Sequence, residues 1–573
     1  MRKSFLTALF LSSTLFGQPA LPPLGSAQRT QWFQDAKFGI FVHWGPYSVL
    51  GRHEWARHLF QIPQAEYDKY ARSFHPEKFN ANEWMSLFER AGAKYVVVTS
   101  KHHDGFSIYR SKVSDYDMEI TPYGGDPLKD LAQAAPKHGL RLGFYYSIMD
   151  WHHPQYRPRR AWEYKDPKAG GNNGLYVDFM KEQLRELLTS YGDVAMIWFD
   201  GEWEHTLKDL KREDEIYDFI RSYNPNTLIN DRLYERQAGS KADFGTPEQY
   251  VPATGAGNQL WESCVTINAS SWGYNKYETE FKTDRDLIRM LIEVASKGGN
   301  LLLNVGPKPD GTIQPEFVTR LEAMGQWLKR NGEAIYQTKA SPFARLPFFG
   351  RATQKDSTLY LHVFSWPKDG QLRVPGLKNL VHTAYLLGDE KKTPLGWKRD
   401  GADVLVSVPA VAPDEIASVV VLRLDGAPVV TPFVNQPDNK GVIHLGIESS
   451  EIETRFEQRA KKENALGHVY LTKWSRPDDI PTWKLAVPRA ATYRVSLSYG
   501  ATRGNKDKTY VVTVGKQVLN AKIVETGNEW VFQSQTLGTI TLAKGEYDLQ
   551  VKSAGTHGLD GVTLESVTLV PIP

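Results

Sequence analysis

Residues 193–203 read DVAMIWFDGEW, a nearly unbroken apolar run that reaches an aspartate and is then cut by a glycine. With a side-chain period of two, Val194, Met196, Trp198 and Asp200 share one face of a strand, and Ala195, Ile197 and Phe199 share the other. If the second set packs on surrounding helices, Asp200 stands at the mouth of a barrel, held by the strand and supported by the Trp198 indole. Capping of a following helix is the plainer use of an aspartate, but GEWEHTLKD offers no clean helix start right after Asp200.

Working outward, short apolar runs alternate with helical patterns from residue 38 to about 336, the mark of repeated strand-helix units around a parallel sheet. The strand candidates are FGIFVHWG (38–45), YVVVTSKHH (95–103), RLGFYYS (141–147), VAMIWFDG (194–201), TLIND (227–231) and NLLLNVGP (300–307). Between them, Val177, Met180, Leu184, Leu187, Leu188 and Tyr191 recur at helical spacing over residues 174–191. Six clear strands fall short of eight. Broken strands between 232 and 299 would complete an irregular (β/α)8, TIM-like barrel, with an open doubly wound sheet as the rival. Two features favour the barrel. Nearly every candidate ends in His, Asp, Tyr or Asn at its C-terminal end, the face where barrels keep their chemistry, and no GxGxxG loop follows the first strand.

Beyond Tyr336 the pattern turns to alternating strands split by Gly and Pro turns, TLYLHVFSW (358–366), VHTAYLLG (381–388), VLVSVPA (404–410) and SVVVLRL (418–424). GAPVVTPFVNQPDNKG (426–441) reads as a linker, and strands resume after it in ATYRVSLSYG, TYVVTVG, EYDLQVK and GVTLESVTLVP. The expected organisation is a leader over 1–27, a barrel over 28–338, and two C-terminal β-sandwich domains over 339–427 and 440–573. The leader rests on Arg2 and Lys3 followed by an apolar run from Phe5 to Phe16 and then PALPPLG, the layout of a signal peptide for a secreted or periplasmic protein.

Composition excludes several partners. The 69 basic residues against 66 acidic ones leave a formal charge of +3, no excess with which to hold a nucleic acid. No other stretch approaches the ~18 apolar residues a membrane span requires. The single cysteine, Cys264, makes no internal disulfide, so stability must come from cores, which 573 residues permit. The 16 tryptophans lean toward sugar-stacking surfaces. Three histidines, His43, His102 and His103, fall on the same expected rim. Adjacent histidines on a strand point opposite ways, which argues against zinc, and neutral imidazoles suit hydroxyl recognition because each offers one donor and one acceptor. No metal and no cofactor are expected.

In order along residues 30–340, FGIFVHWGPYSV, HEWAR, KYVVVTSKHHDGF, FYYSIMDWHHP, IWFDGEW, NDR, WESCVTINASSWGY and GGNLLLNVGPKPDGTI resemble the α-L-fucosidases of glycoside hydrolase family 29. The resemblance implies a retaining exo-hydrolase of terminal α-L-fucose, acting on a fucosylated oligosaccharide or polysaccharide through two carboxylates ~5–5.5 Å apart. Asp200 matches the family's nucleophile. Glu248, in GTPEQYVP, and Glu262, in LWESCVTIN, compete as acid/base, with Glu248 the better match on its proline-bearing loop. Glu262 is otherwise a buried structural carboxylate, as is Glu54 on the same reading. The resemblance places His43, Glu54, Trp55, His102, His103, Tyr145, Trp198 and Arg232 around fucose, with Glu262 beside them. Trp55 and Trp198 are expected to face the C5 methyl. Tyr145 is preferred to Tyr146 because it shares a face with the small residues Gly143 and Ser147.

The segment 339–427 matches in position the small sandwich such fucosidases carry. The last segment resembles carbohydrate-binding β-sandwiches in GVIHLGIESSEIE and LAKGEYDLQVK. Modules of that type use early glutamates for a structural calcium, which would be Glu448, Glu451 or Glu453, although solvated edge-strand charges are the favoured reading. The competing functions are a sugar-binding protein that has lost catalysis and an α-L-galactosidase, whose substrate would need a roomier, more polar methyl pocket.

Overall fold

A computed structural model describes residues 25–572 apart from 253, 254, 258, 453, 456–459, 466, 467, 506 and 507. The leader therefore lies almost wholly outside the described residues, as does Glu453. Seven parallel strands form the first sheet: Phe38–Val42, Tyr95–Lys101, Arg141–Ser147, Val194–Asp200, Leu228–Ile229, Glu262–Thr266 and Asn300–Val305. The first strand pairs on one side with the second and on the other with the last. A doubly wound sheet reverses direction about its first strand, whereas here successive strands run round in order and the last returns to the first, the topology of a barrel.

The gap between Leu228–Ile229 and Glu262–Thr266 is spanned by an irregular segment, residues 243–248. Parallel bridges join Asn230 to Phe244, Gly245 to Trp261 and Glu248 to Cys264. Backbone hydrogen bonds run from Asp231 N to Phe244 O (2.9 Å), from Glu262 N to Gly245 O (2.9 Å) and from Cys264 N to Pro247 O (3.1 Å). Of the strands expected to be broken between 232 and 299, this one is irregular, whereas Glu262–Thr266 pairs regularly over five residues. Pro247 has no N–H to give to a ladder, so its segment pairs through single bridges rather than a regular register.

Two apolar layers follow from strand alternation. Met196, Trp198, Tyr145, Phe41, Val97 and Leu302 fill the barrel interior, together with Phe33 from the N-terminal helix Ser26–Ala36. Ile197, Phe199, Phe144 and Tyr146 face outward into the larger cluster shared with the helices, including Asn173–Ser190 with Val177, Met180, Leu184, Leu187 and Leu188 buried. Val194 departs from the expected alternation and lies with the outer set. Its strand carries one extra residue: Leu142 pairs with Val194 but Phe144 with Ile197, so a bulge between them reverses the side on which Val194 points.

The rest of the chain is antiparallel. One sheet contains Gly350–Lys355, Thr358–Val363, Val381–Leu386 and Ser418–Leu424, and a three-stranded sheet of Gln371–Val374, Trp397–Asp400 and Asp403–Ser407 packs on it over a shared apolar cluster. A further pair of sheets, built on Ala491–Ala501 with Val562–Ile572 and on Thr509–Val514 with Gly545–Ser553, encloses a separate core. The stretch read as a linker is held at both ends. Leu377 bridges to Val430, and Asn435 bridges to Leu485, with Asn435 N donating to Lys484 O at 3.0 Å. Glu451 lies within electrostatic reach of the cations Arg351 and Lys462. No helix among the described residues is long and apolar enough to cross a membrane.

Candidate active site

Asp200 ends its strand, and Gly201 follows at φ 85°, a left-handed turn that glycine adopts without strain. The turn carries the chain away from the strand and leaves the carboxylate at the rim. It caps no helix. Oδ2 accepts from the Tyr145 hydroxyl at 2.8 Å and lies 3.6 Å from His103 Nε2, while Oδ1 accepts from Arg232 Nη1. Burial pushes this carboxyl up, but the Arg232 guanidinium, His103 and the Tyr145 hydrogen bond outweigh it and hold Asp200 below the usual carboxylate range. It is ionised at neutral pH.

Arg232 reaches the site because the fifth strand stops after two residues. Its partner strand continues, and the Asn230 side chain substitutes for the missing ladder: Phe199 N donates to Asn230 Oδ1 at 2.8 Å, and Asn230 Nδ2 to Phe199 O at 2.9 Å. The chain then curls through Asp231–Tyr234, bringing the Arg232 guanidinium 4.4 Å over the Trp198 ring. One terminal nitrogen meets Asp200, and the other donates to Glu248 Oε2 at 2.8 Å. The two carboxylates are thus no farther apart than one guanidinium and its two hydrogen bonds. Glu248 is half-buried, with a third of its side chain open to solvent.

The three histidines converge as expected. His43 Nδ1 bonds Asn304 Oδ1 at 2.7 Å, and His103 Nδ1 bonds Ser147 Oγ at 2.6 Å. His102 and His103 do not point opposite ways. Their rings lie 4.2 Å apart and both line the cavity, because the strand ends at Lys101 and its alternation lapses with it. Burial lowers all three imidazoles, to about 4 for His43 and about 3 for His103, with His102 also well below its ordinary value. They are neutral hydrogen-bonding groups at physiological pH.

Glu54 has two duties. Its Oε2 accepts from the backbone N–H groups of Trp272 and Gly273, both at 2.9 Å, so the structural reading holds for one oxygen while the residue still lines the cavity. Tyr145 faces inward and Tyr146 outward, where its hydroxyl donates to Gln183 at 2.8 Å. The two indoles expected to face the methyl both line the cavity, each with its own set of neighbours. Trp198 packs with Phe41 (5.0 Å) and Tyr145 (5.7 Å), whereas Trp55 packs with His103 (4.9 Å), Trp151 (5.2 Å) and Trp203 (6.0 Å).

Glu262 is absent from the cavity wall, which corrects its expected place among the sugar contacts. It begins its strand, so its side chain lies deep in the barrel below the rim. There it accepts from the Tyr95 hydroxyl and from Trp198 Nε1 at 3.1 Å. Burial raises its pKa to about 7 against the pull of those two donors. It supports Trp198 from beneath.

Four cavity residues escaped the sequence reading: Phe41, Trp203, Cys264 and Trp272. Phe41 and Cys264 were within reach, because each lies two residues from a residue already singled out and so shares its face. Trp203 lies on the single 3-10 turn Glu202–Glu204 and Trp272 on a loop, and no periodicity encodes the direction of either. Arg236 also joins the cluster. Its Nε donates to Glu202 Oε1 at 3.0 Å, and its Nη2 lies 3.9 Å from Glu248.

A family model described as Alpha-L-fucosidase matches residues 17–333. Tissue alpha-L-fucosidase of Rattus norvegicus is 32% identical over 423 residues, covering 69% of this chain and 89% of that one. A GH29 alpha-L-fucosidase from Bacteroides thetaiotaomicron is 28% identical with a TM-score of 0.64, covering 72% of this chain and all of that one. It was solved as a trapped covalent intermediate with 2-fluoro-fucosyl fluoride, using a Glu-to-Gln mutant. An alpha-L-fucosidase from Vibrio sp. strain EJY3, 24% identical with a TM-score of 0.74, covers 95% of this chain and 98% of its own, so the likeness in fold extends over the β domains.

Proposed function

The chain belongs to the α-L-fucosidases of glycoside hydrolase family 29, retaining enzymes that pass through a covalent intermediate, and from that premise we propose how its own residues divide the work. Asp200 attacks the anomeric carbon of fucose while Glu248 protonates the departing glycosidic oxygen. Glu248 then takes a proton from water, which attacks the same carbon and returns Asp200 as a carboxylate. His43, His103 and Glu54 bind the ring hydroxyls. Arg232 holds both carboxylates in register, and Tyr145 orients Asp200. The observation that carries the reading is that the two ends of the Arg232 guanidinium meet Asp200 and Glu248, while Glu262 is sealed below Trp198.

The same cavity bears on the sugar. Phe41, Tyr145, Trp198 and Trp272 form an apolar wall, and the Tyr145 hydroxyl is committed to Asp200. A methyl suits that wall. The extra hydroxyl of L-galactose would lose water against those ring faces, so the wall supports fucose over the α-L-galactosidase alternative.

The acid/base assignment has a direct test. In Glu248→Ala, kcat/KM on fucosides with poor leaving groups should fall by roughly 10²- to 10⁴-fold, with a much smaller loss on fucosyl fluoride and recovery in azide. Glu262→Ala should show no such dependence on leaving group. If the dependence and the azide rescue belong to Glu262→Ala alone, the two glutamates exchange roles.

Export and sugar binding by the last sandwich complete the proposal. Export is supported by the charged and apolar pattern of residues 2–16, and N-terminal sequencing of the exported protein tests for cleavage between about residues 18 and 28. Sugar binding is supported by the exposed Trp530, set edge-on to Tyr470 at 5.9 Å, with Tyr470 stacked on Phe532 at 4.6 Å. Trp530→Ala should weaken retention on a fucosylated polysaccharide without altering kcat on a small aryl fucoside. Unchanged retention would remove that surface from the proposal.

A further inference from the structure

The loop that carries Glu248 is gripped from two sides. Toward the barrel, Glu248 bridges to Cys264, Gln249 N donates to Cys264 O at 3.0 Å, and Ser263 Oγ donates to Tyr250 O at 2.6 Å. Gln249 then takes a left-handed backbone conformation, φ 59°, which turns the chain outward. The next two residues, Tyr250–Val251, pair antiparallel with Thr454–Arg455, which lie some two hundred residues later in the last β domain. Val251 is fully buried.

That domain is seated on the rest of the molecule close by. Lys461 Nζ lies 3.8 Å from Asp286 on the barrel helix Asp284–Ser296, and Asn464 Nδ2 donates to Ser365 Oγ in the middle sandwich at 3.0 Å. Val469 packs against both the barrel cluster and the core of the last sandwich. The Lys462 ammonium donates to the carbonyls of Ser450 and Glu448, stiffening the segment that leads to Thr454.

We propose that the last β-sandwich is a positioning part of the catalytic centre, holding the Glu248 loop by adding Thr454–Arg455 as an extra strand to Tyr250–Val251. The proposal rests on Glu248 being the acid/base. A two-residue strand with one side unpaired leaves backbone donors and acceptors to water and is free to shift, whereas strand addition pairs them and fixes its place. Glu248 is two residues from the pair, at most about 7 Å along the chain, so a shift at Tyr250 is carried to its carboxyl through the single turn at Gln249. Displacement of a catalytic group by about 1 Å costs on the order of 10²-fold in rate. The sandwich thereby acts on proton transfer without touching the sugar.

The test uses the full chain with the double substitution Thr454→Pro/Arg455→Pro, which removes the backbone N–H groups of this strand, beside Thr454→Ala/Arg455→Ala, which keeps them. The proline variant should lose about 10- to 100-fold in kcat/KM on fucosides with poor leaving groups and less than about threefold on fucosyl fluoride, with the alanine variant near wild type. Equal losses on both substrates, or none, would overturn the proposal. Hydrogen exchange on the unaltered protein gives a second reading that does not depend on how the proline variant folds: amides at 250–251 and 454–455 should be protected, and free exchange there overturns it as well. Glu248→Ala is run in parallel. If it shows the leaving-group dependence and the proline variant does not, only the role of the sandwich falls. If Glu248→Ala shows none, the acid/base reading falls and takes this proposal with it.

Discussion

Asp200→Asn is expected to lose nearly all hydrolysis, with kcat falling by roughly 10⁴- to 10⁶-fold, the scale on which removal of a nucleophile acts in other enzymes. The amide keeps the shape of the carboxylate and still accepts from the Tyr145 hydroxyl, so the cavity survives while its attacking charge does not. The measurement is covalent. Wild-type protein exposed to 2-fluoro-fucosyl fluoride should carry the 2-fluorofucosyl group on the peptide containing Asp200, because fluorine at C2 slows both steps while the fluoride leaving group keeps formation of the ester faster than its hydrolysis. Asp200→Asn should carry none. A label on any other residue, or full turnover in the variant, would remove Asp200 from the role.

Arg232→Met should be the next most damaging change, and it acts in two ways. Arg232 is buried and positions both Asp200 and Glu248. Misplacing each carboxylate by about 1 Å would cost on the order of 10²-fold, and the two together roughly 10⁴-fold in kcat/KM. Stability also suffers, because a buried carboxylate that loses its partner costs about 3–5 kcal/mol. Lysine is no substitute, since a single ammonium cannot span two acids as the guanidinium fork does.

The pH dependence separates these effects from general damage. With Arg232 present, Asp200 titrates below its unfolded value, so its contribution to stability is complete above about pH 4 and is lost as pH falls through the lower, folded value. Without Arg232, burial dominates and the folded value rises above the unfolded one, which reverses the sign. The destabilisation of Arg232→Met relative to wild type should therefore be largest at neutral pH and shrink on acidification, as read from urea unfolding at pH 7 and at pH 4.5. The acid limb of kcat/KM should move to higher pH in the variant. A destabilisation independent of pH, with an unmoved limb, would mean that Arg232 does not govern the charge of Asp200.

Much of this site was legible in the chain before any fold was known. Strand alternation put Met196, Trp198 and Asp200 on one face and distinguished Tyr145 from Tyr146, because a side-chain period of two is a property of the extended backbone itself. The same rule failed at Val194, where a bulge added a residue, and at His102 and His103, where the strand had already ended. Both failures lie where the backbone leaves the repeat, and sequence does not announce the residue at which it does so. Residue types near Asp200 were equally plain, yet Glu248 and Glu262 could not be told apart by composition or by distance along the chain. Their fates differ by where each sits on its own segment, one at a rim and one at the start of a strand deep in the barrel.

What the sequence by itself determined is the set of ingredients: a parallel barrel with imidazoles, indoles and acids at the C-terminal ends of its strands, followed by two β-rich domains. Only the tertiary structure decided which of them meet. Residues 200, 232 and 248 share one guanidinium because a two-residue strand ends early and an irregular segment closes the barrel across the gap. Residues 250–251 and 454–455 pair because a distant domain is docked beside that closure. Local periodicity arises from dihedral angles within a few residues, whereas such meetings depend on how the whole chain packs, and that information is spread over every contact that sets the packing.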